Sequence, residues 1–585
     1  MSVSHWQPKR DFAQVEELLC APGNLHEIET RVINGLVQRV YKNLPPSIRM
    51  FWLGAVQLHR DKTYVVFENQ RFTFGEANER VAKAASVFRD IYGVKKGDRV
   101  AICSRNYPDF LITFWACHLI GAVSVLVNAW LPAEPLKHCL IKTQCTLIIV
   151  DPERADIVVS FVPELKSNGV AVLESPQGSW PGMDNWGSVL KNYTGDCTKI
   201  LKEDPKVTPE DNATIVFTSG TSGLPKGVLS TQRAFLSTLP NALVGRSRAV
   251  LRRGDSLANA GPPPGPQPGI LLPTPLFHVT GISFILGGAI MGFKLVLMRK
   301  WNVDEASRLV REENIGLTGG VPSAIADLAD SPTASGAPIQ GIMYGGSAVS
   351  AALATRAKKA FPTATITQAY GLTESNATTV GFGGEDYEAR LDSCGRALPV
   401  SDIMIVTDDK ACPTGTAGEI WLRGPNIMKG YWDDPVATSQ ALTHDGWLKT
   451  GDVGYLDNEG FLYVKDRLKD IIIRGGENVD SVAVENVFYE NEGVLEAAAV
   501  GVPDEKLGEL VTAIVTVKPA FRGKVSSDAL LELARKRLPK FAVPVMILVR
   551  DEDFVHTPSG KIIKTELRKV AAEAWNKQRS PKAKL

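Results

Sequence analysis

Residues 214–227 most constrain what this chain can fold into, because an apolar run opens there directly into a loop of glycine and small hydroxyl residues. Residues 214–217 read Thr-Ile-Val-Phe, a composition typical of a buried β-strand. The chain continues Thr-Ser-Gly-Thr-Ser-Gly-Leu-Pro-Lys-Gly. Glycines permit positive φ angles and a close approach of the backbone to a ligand. The segment is therefore the first candidate for a binding loop.

The chemistry of this loop is that of polyphosphate binding. Successive backbone N–H groups form a concavity for anions, the hydroxyls add donors and the lysine adds a positive charge. The segment does not match the common nucleotide-binding loop Gly-x4-Gly-Lys-Ser/Thr. In that loop the lysine directly follows a glycine, whereas here Lys226 precedes Gly227. That order disfavours a simple ATPase or kinase, and a Gly/Ser-rich linker is the alternative. The predicted phosphate-binding residues are Thr218, Ser219, Gly220, Thr221, Ser222, Gly223 and Lys226.

Length, charge and cysteine usage limit the class of protein. A chain of 585 residues is too long for one hydrophobic core, so two or more domains are expected. A formal net charge of +1 produces no overall electrostatic attraction to nucleic acid, so no nucleic-acid partner is predicted. The eight cysteines contain no Cys-x-x-Cys pair, which argues against a zinc site or a disulfide framework and suits a reducing compartment.

Residues 110–130 are the best candidate for a membrane-spanning segment, since they are apolar for most of their length. His118, Gly121 and Asn128 interrupt the run. We therefore interpret it as a buried helix followed by a buried strand, divided near Gly121, with at most peripheral membrane contact. Residues 1–10 are polar and resemble no secretory signal.

Short apolar runs alternate with helical patterns along the chain, which predicts an α/β fold with parallel-rich layered sheets. The predicted buried parallel strands are residues 99–103, 147–150, 295–298 and 403–406. The predicted helices are residues 74–92 and 303–314. Residues 245–273 are Arg-rich and then Pro/Gly-rich, and we expect a loop or a polyproline II segment there.

The clearest domain boundary lies near residue 466. We predict a large N-terminal domain, residues 1–466, and a small mobile α+β domain, residues 467–585. Within the small domain, residues 497–502 and 511–517 are predicted strands. Residues 527–538 are a predicted helix with serines placed to cap it.

Taken with the motifs that follow, the loop resembles the phosphate-binding signature of the acyl-adenylate-forming superfamily, which includes acyl-CoA synthetases and 4-coumarate-CoA ligases. The strongest further match is residues 368–374, Gln-Ala-Tyr-Gly-Leu-Thr-Glu, with Gln368 and Gly371 in the nucleotide site. The resemblance implies adenine stacking by Tyr370 and phosphate contact by Thr373. It also implies that Glu374 and Thr218 bind Mg²⁺. A hard divalent cation prefers a carboxylate plus nucleotide phosphates as its ligands.

Other segments match the same superfamily in the same order. Residues 275–281 resemble its acyl-pocket segment, which implies a gate or pocket role for His278, although a lone histidine on an apolar run is more often a packed core residue. The turn Gly345-Gly346-Ser347-Ala348 resembles the one against which adenine and the acyl group pack.

The ribose-binding segment of the superfamily is also present. Asp452 and Tyr455 lie in it, and Arg467 is the matching second ribose contact. A carboxylate accepts hydrogen bonds from both ribose hydroxyls. Residues 418–424 and the pair Gly430-Tyr431 are a further hallmark that we interpret as mainly structural.

The C-terminal residues complete the resemblance. Lys469 occupies the hinge position, and Gly475 and Gly476 match the glycine strand that faces the thiol acceptor. Lys561, in Thr-Pro-Ser-Gly-Lys-Ile, matches the adenylation lysine. The implied enzyme is an AMP-forming acyl-CoA ligase that uses ATP, Mg²⁺ and CoA, and whose small domain rotates about Lys469 between adenylation and thioester formation.

Several points stay open at the level of the sequence. A medium- or long-chain fatty acid is the favoured substrate, and an aryl or secondary-metabolite acid, on CoA or on a carrier protein, is the alternative. A luciferase-like oxygenase shares these motifs, and a non-catalytic nucleotide-binding scaffold is the alternative of another class. The chain ends Ala583-Lys584-Leu585, a one-residue variant of the Ser-Lys-Leu address, so we expect a peroxisomal import receptor as partner and a peroxisomal, otherwise cytoplasmic, location.

Overall fold

The computed structural model describes most of the chain. The described residues are 6–174, 178–218, 224–260, 265–320, 322–345, 349, 351–468, 470–475, 477–557 and 561–579. Three sheets larger than a hairpin organise them, with helices packed on their faces. This arrangement of a large α/β part and a small C-terminal part confirms the predicted fold class.

The first sheet has eight strands, six of which form a parallel block. In spatial order the strands are Gly430–Tyr431, Gly227–Thr231, Asn212–Phe217, Val123–Leu126, Arg99–Cys103, Leu147–Val150, Gly169–Val172 and Asp184–Asn185. The first two are antiparallel, and the parallel pairs begin at Asn212–Phe217. The strands predicted at 99–103 and 147–150 are confirmed, since buried parallel strands appear as continuous apolar runs.

The apolar segment 110–130 folds as predicted. It enters the helix Pro108–Leu119, turns at Gly121 with φ of 73°, and continues as the buried strand Val123–Leu126. Among the described residues, no helix is long and apolar enough to cross a membrane.

The second sheet has fourteen strands and is parallel in one half only. In spatial order the strands are Lys410–Ala411, Asp402–Thr407, Gly418–Arg423, Leu448–Leu456, Phe461–Arg467, Gly395–Ala397, Val380–Gly383, Thr365–Tyr370, Gly341–Tyr344, Ile315–Gly320, Gly269–Leu271, Lys294–Leu297, Thr63–Phe67 and Gln70–Thr73. The prediction of a parallel strand at 403–406 is wrong in its direction. The strand exists but pairs antiparallel with both neighbours, and an apolar run alone does not encode strand direction.

The helices cover the two large sheets, and side chains cap many of them. Thr73 and Glu76 form a capping box at the start of Phe74–Asp90, and Asn302 caps Val303–Glu312, so both predicted helices are confirmed. The remaining α-helices before residue 470 are Phe12–Leu19, Ile48–His59, Ala133–Thr143, Pro152–Val158, Trp186–Asn192, Lys199–Lys202, Gln232–Leu236, Thr238–Arg252, Val279–Met291, Pro322–Asp330, Ala351–Ala360, Glu385–Glu388 and Pro435–Ala441. Short 3₁₀ turns occupy Val159–Glu164, Leu257–Ala260 and Thr373–Ser375.

The prediction of a loop or polyproline II segment at residues 245–273 is wrong for the first and last parts of that range. The helix Thr238–Arg252 runs through the arginine-rich half, and Gly269–Leu271 is a strand, while residues 261–264 lie outside the described residues. Arg252 is buried in a bidentate pair with Asp386 at 2.8 and 2.9 Å and lies over the ring of Phe12 at 4.1 Å. The arginine-rich segment is therefore a helix whose side chains contact residues distant in sequence. Local composition does not reveal such partners.

The C-terminal part contains the third sheet. Its strands are Ile472–Arg474, Glu477–Val479, Val494–Asp504, Gly508–Val517 and Met546–Arg550, with helices Ser481–Phe488, Ser527–Arg537 and Lys564–Arg579 and the 3₁₀ turn Pro519–Phe521. The strands predicted at 497–502 and 511–517 lie within the observed strands, and the helix predicted at 527–538 is observed as Ser527–Arg537. The larger sheet ends at Arg467 and the small sheet begins at Ile472; the division into residues 1–466 and 467–585 stays a prediction.

Candidate active site

A cleft of about 1690 Å³ lies between the two large sheets and the C-terminal part. Most of the described residues predicted for the site line this cleft. They are Thr218, Lys226, His278, Gly345, Gln368, Tyr370, Gly371, Thr373, Glu374, Asp452, Tyr455, Arg467 and Lys561. Segments more than 300 residues apart in sequence therefore meet in one place.

Several predicted residues lie outside the described residues. They are Ser219, Gly220, Thr221, Ser222 and Gly223 of the phosphate loop, Gly346 and Ser347, the hinge residue Lys469, Gly476, and the tail Ala583-Lys584-Leu585. Their roles stay predictions.

The two ends of the phosphate loop are held together by an antiparallel pair of strands. Phe217 lies opposite Gly227 in the register of Asn212–Phe217 and Gly227–Thr231. The Thr218 N–H donates to the Lys226 carbonyl at 3.0 Å, and the Lys226 N–H donates to the Thr218 hydroxyl oxygen at 3.2 Å. The strand pairing thus places Thr218 and Lys226 side by side at the edge of the cleft.

Glu374 lies in a tight turn that requires glycine at residue 371. A Cβ atom on Gly371 would approach the Ala377 carbonyl oxygen to 1.5 Å, a distance no side chain tolerates. The turn then passes through two left-handed residues, Asn376 with φ of 49° and Ala377 with φ of 72°. The compact turn points residues 373 and 374 into the cleft.

Two contacts from the segment after Gly418–Arg423 fix Glu374. The Met428 N–H donates to the Glu374 carbonyl, and the Tyr431 hydroxyl donates to Glu374 Oε1, both at 2.8 Å. Among the residues described here, no cluster of three His, Cys, Asp or Glu side chains would hold a metal ion alone. A single oriented carboxylate beside a phosphate loop fits Mg²⁺, which keeps waters and shares nucleotide phosphates as ligands.

Tyr370, Asp452 and Arg467 form one connected group. The Tyr370 hydroxyl donates to Asp452 Oδ2 at 2.7 Å, and Arg467 Nε lies 3.0 Å from Asp452 Oδ1. Asp452 and Arg467 are direct partners across the strands Leu448–Leu456 and Phe461–Arg467. Burial first, and then the charge of Asp452, raises the pKa of Tyr370, so its phenol stays protonated. The buried Asp452 fits a ribose-binding carboxylate, and Tyr370 is positioned by it.

His278 is the residue before the helix Val279–Met291 and faces the cleft. Burial, with a smaller contribution from the charge of Lys561, lowers the pKa of His278 to about 4. The imidazole is therefore neutral at pH 7. Its Nε2 is buried without a hydrogen-bond partner among the described residues, so it is available to a bound molecule.

Lys561 reaches the cleft from a loop that its own backbone closes. The Thr557 N–H donates to the Lys561 carbonyl at 2.7 Å, and the Lys561 N–H donates to the Thr557 hydroxyl oxygen at 3.1 Å. Beyond Lys561, Lys564 Nζ forms a partly buried ion pair with Glu485 Oε1 at 2.6 Å and donates to the Ser481 hydroxyl. The segment that follows Lys561 is thereby held to the helix Ser481–Phe488.

Gly475 is not part of the cleft lining in this arrangement. It has φ of 60° in the hairpin that joins Ile472–Arg474 and Glu477–Val479, and its N–H donates to the Leu507 carbonyl at 2.7 Å. The structure therefore brings Lys561, but not the predicted acceptor-facing glycine, to the candidate site.

Tyr431 is the main site residue that sequence reasoning missed. The Gly430-Tyr431 pair carries a visible signal, since it belongs to a recognised motif, but its contact to Glu374 joins residues 57 positions apart in sequence. The local sequence does not indicate that Glu485 and Lys564 form an ion pair, because isolated charged residues usually lie on solvated surfaces.

Comparisons with known proteins agree with this geometry. Residues 54–432 match the AMP-binding enzyme family, and residues 483–561 match the AMP-binding enzyme C-terminal domain. The chain therefore belongs to the AMP-binding enzyme family. It is an AMP-forming acid–thiol ligase by class, and ATP, Mg²⁺ and CoA are the cofactors typical of that family.

Relatives with different named substrates are equally similar. A long-chain-fatty-acid–CoA ligase of Mycobacterium tuberculosis is 31% identical over 85% of this chain and 93% of its own length. A 2-succinylbenzoate–CoA ligase of Bacillus velezensis is also 31% identical, over 88% and 98%. The solved o-succinylbenzoate CoA synthetase of Bacillus subtilis, in complex with an acyl-adenylate intermediate, aligns at 26% identity with a TM-score of 0.71 over 90% and 98% of the two chains.

The steric role of Gly371 can be tested with matched substitutions. Gly371→Ala should weaken MgATP binding and lower the rate of pyrophosphate exchange about a hundredfold, because displacements of about 1 Å have effects of that order. Gly54→Ala is the control, since Gly54 lies in the helix Ile48–His59 outside the cleft lining and a Cβ there would meet no atom within 4 Å. Calorimetric ATP binding should be unchanged in the control, and unchanged binding by Gly371→Ala would contradict the assignment.

Proposed function

We propose that this enzyme activates a medium- or long-chain fatty acid with ATP through an acyl-AMP intermediate and transfers the acyl group to CoA. The observation that carries the proposal is the convergence of Glu374, Asp452 and Lys561 on one cleft. These are a carboxylate suited to Mg²⁺, a carboxylate suited to ribose, and a cation on a separate structural unit. Such a set suits charge stabilisation and alignment more than acid–base chemistry.

The proposed first step joins the acid to AMP. A carboxylate oxygen of the acid attacks the α-phosphorus of ATP, the bond to the bridging oxygen breaks, and pyrophosphate leaves with the electron pair. Asp452 and Tyr370 hold the nucleoside, Thr218 and Lys226 hold the leaving pyrophosphate, and Lys561 compensates charge between carboxylate and α-phosphate. Mg²⁺, when bound beside Glu374, supplies further charge neutralisation on the phosphates.

The proposed second step needs a different arrangement of the small domain. A thiol attacks the acyl carbon and AMP leaves, and the loop that carries Lys561 would obstruct the thiol. We propose that residues 467–585 rotate about Lys469 and bring Gly475 and Gly476 to the cleft. The position of Gly475 outside the cleft lining, while Lys561 lies within it, supports two alternating arrangements.

The acid pocket supports an apolar substrate. Val279, Met343, Val349 and Leu353 contribute apolar groups to the cleft lining, which also includes the neutral His278, and a Cβ on Gly345 would meet no atom closer than 3.8 Å. A fatty-acid ligase is among the relatives at 31% identity. An aryl acid is the second candidate, because a 2-succinylbenzoate ligase is related at the same identity.

A panel of acids tests the proposal. With ATP, Mg²⁺ and CoA, we expect AMP, pyrophosphate and an acyl-CoA thioester, with the highest kcat/KM for medium- or long-chain fatty acids. Parallel reactions offer a carrier protein in place of CoA and omit the acid. A preference for aryl acids would favour the second candidate, and failure to form AMP with any acid would contradict the proposed activity and favour a non-catalytic scaffold.

We also propose that the tail Ala583-Lys584-Leu585 directs the protein to peroxisomes, on the basis of its similarity to Ser-Lys-Leu. Deletion of these three residues should leave acyl-CoA synthesis unchanged and abolish co-localisation of a fluorescent fusion with a peroxisomal marker. Unchanged localisation after the deletion would contradict this proposal without affecting the proposed activity.

A further inference from the structure

Tyr431 contacts two charged residues of the candidate site, Glu374 and Lys226. Its hydroxyl donates to Glu374 Oε1 at 2.8 Å. The Lys226 Nζ lies 5.1 Å from the centroid of its ring, within the range of a cation–π interaction. One side chain therefore contacts the candidate metal carboxylate with its polar end and the phosphate-loop lysine with its ring face.

The backbone of Tyr431 is fixed by the same strand that closes the phosphate loop. The two-residue strand Gly430–Tyr431 pairs with Gly227–Thr231, and Val228 lies directly opposite Tyr431. The Tyr431 N–H donates to the Thr438 hydroxyl oxygen at 2.9 Å. Gly430 has φ of 154°, and a Cβ atom there would lie 2.9 Å from Thr438 Cγ2, so the approach of the chain to this position depends on glycine.

The hydrogen bond from Tyr431 has a defined direction. The Tyr431 hydroxyl carries the proton and donates it, and the Glu374 carboxylate oxygen accepts. Because Oε1 receives this bond, rotation of the carboxylate is restricted. A carboxylate whose orientation is fixed loses less freedom when it binds a cation.

We propose that Tyr431 is a positioning residue that presents Glu374 to Mg²⁺ and holds Lys226 toward the β- and γ-phosphates. This inference rests on the proposed function. It assigns the Gly430-Tyr431 motif a role in metal-dependent nucleotide binding beyond the structural one that its sequence suggests. It also predicts that substitutions can remove the two interactions of Tyr431 independently, since the hydroxyl contacts the metal carboxylate and the ring contacts the lysine.

Tyr431→Phe tests the proposal, because it removes the hydroxyl and retains the ring over Lys226. We expect the Mg²⁺ concentration for half-maximal pyrophosphate exchange to rise about tenfold, as when other partners of metal ligands are removed. Calorimetric binding of a non-hydrolysable ATP analogue should weaken at low Mg²⁺ and recover at high Mg²⁺. Tyr431→Leu should weaken analogue binding at all Mg²⁺ concentrations, since it also removes the ring.

Tyr92→Phe is the matched control, because the Tyr92 hydroxyl donates to Asp184 Oδ2 at 2.9 Å, away from the cleft lining. It should leave the Mg²⁺ dependence of exchange and analogue binding unchanged. Wild-type Mg²⁺ dependence in Tyr431→Phe would overturn the inference while leaving the proposed function intact. A lower unfolding temperature for Tyr431→Phe than for Tyr92→Phe would overturn it in favour of a structural role. A wild-type enzyme that neither exchanges pyrophosphate nor binds the analogue would overturn the proposed function and the inference with it.

Discussion

The cleft depends on a buried network of two asparagines, Asn376 and Asn426, which are 2% and 0% exposed. The Asn376 amide donates to the Asn426 carbonyl at 2.9 Å, and the Asn426 amide donates to the Ser375 carbonyl at 2.8 Å. Ser230, on the strand that follows the phosphate loop, donates to Asn376 Oδ1 at 2.9 Å. Buried amides are costly to leave unpaired, so this network fixes the turn of Glu374 between two sheets.

A second chain of contacts places the lysine of the small domain relative to the nucleotide site. Lys564, three residues after Lys561, pairs with Glu485 and donates to the Ser481 hydroxyl, both at 2.6 Å. The Ser481 N–H donates to Asp466 at 2.8 Å, and Asp466 precedes the proposed ribose residue Arg467 on the last strand of the larger sheet. Lys564 is thus linked by hydrogen bonds through Ser481 to the strand that carries Arg467. Rotation of the small domain about Lys469 would have to rearrange this contact.

The sequence was sufficient where the structural requirement is local. The strand Arg99–Cys103 is predicted to the residue, and the motif places Gly371 in the nucleotide site, whereas the steric requirement for glycine there is visible only in the structure. The arginine-rich helix Thr238–Arg252 was not predicted, because its stabilising partners, Asp386 among them, lie more than a hundred residues away. The contact between Tyr431 and Glu374 is not predicted for the same reason, since a hydrogen bond between distant segments leaves no periodic pattern in the sequence.

The central claim is that acyl-AMP formation depends on Lys561 while thioester formation does not. The most direct measurement compares the two half-reactions in Lys561→Ala, with Lys569→Ala as the control, since Lys569 is exposed and pairs with Glu566 on the following helix. We predict that Lys561→Ala loses acyl-AMP formation from acid and ATP, yet converts supplied acyl-AMP and CoA to thioester at a rate close to that of the wild type. Retained adenylation in Lys561→Ala would contradict the account.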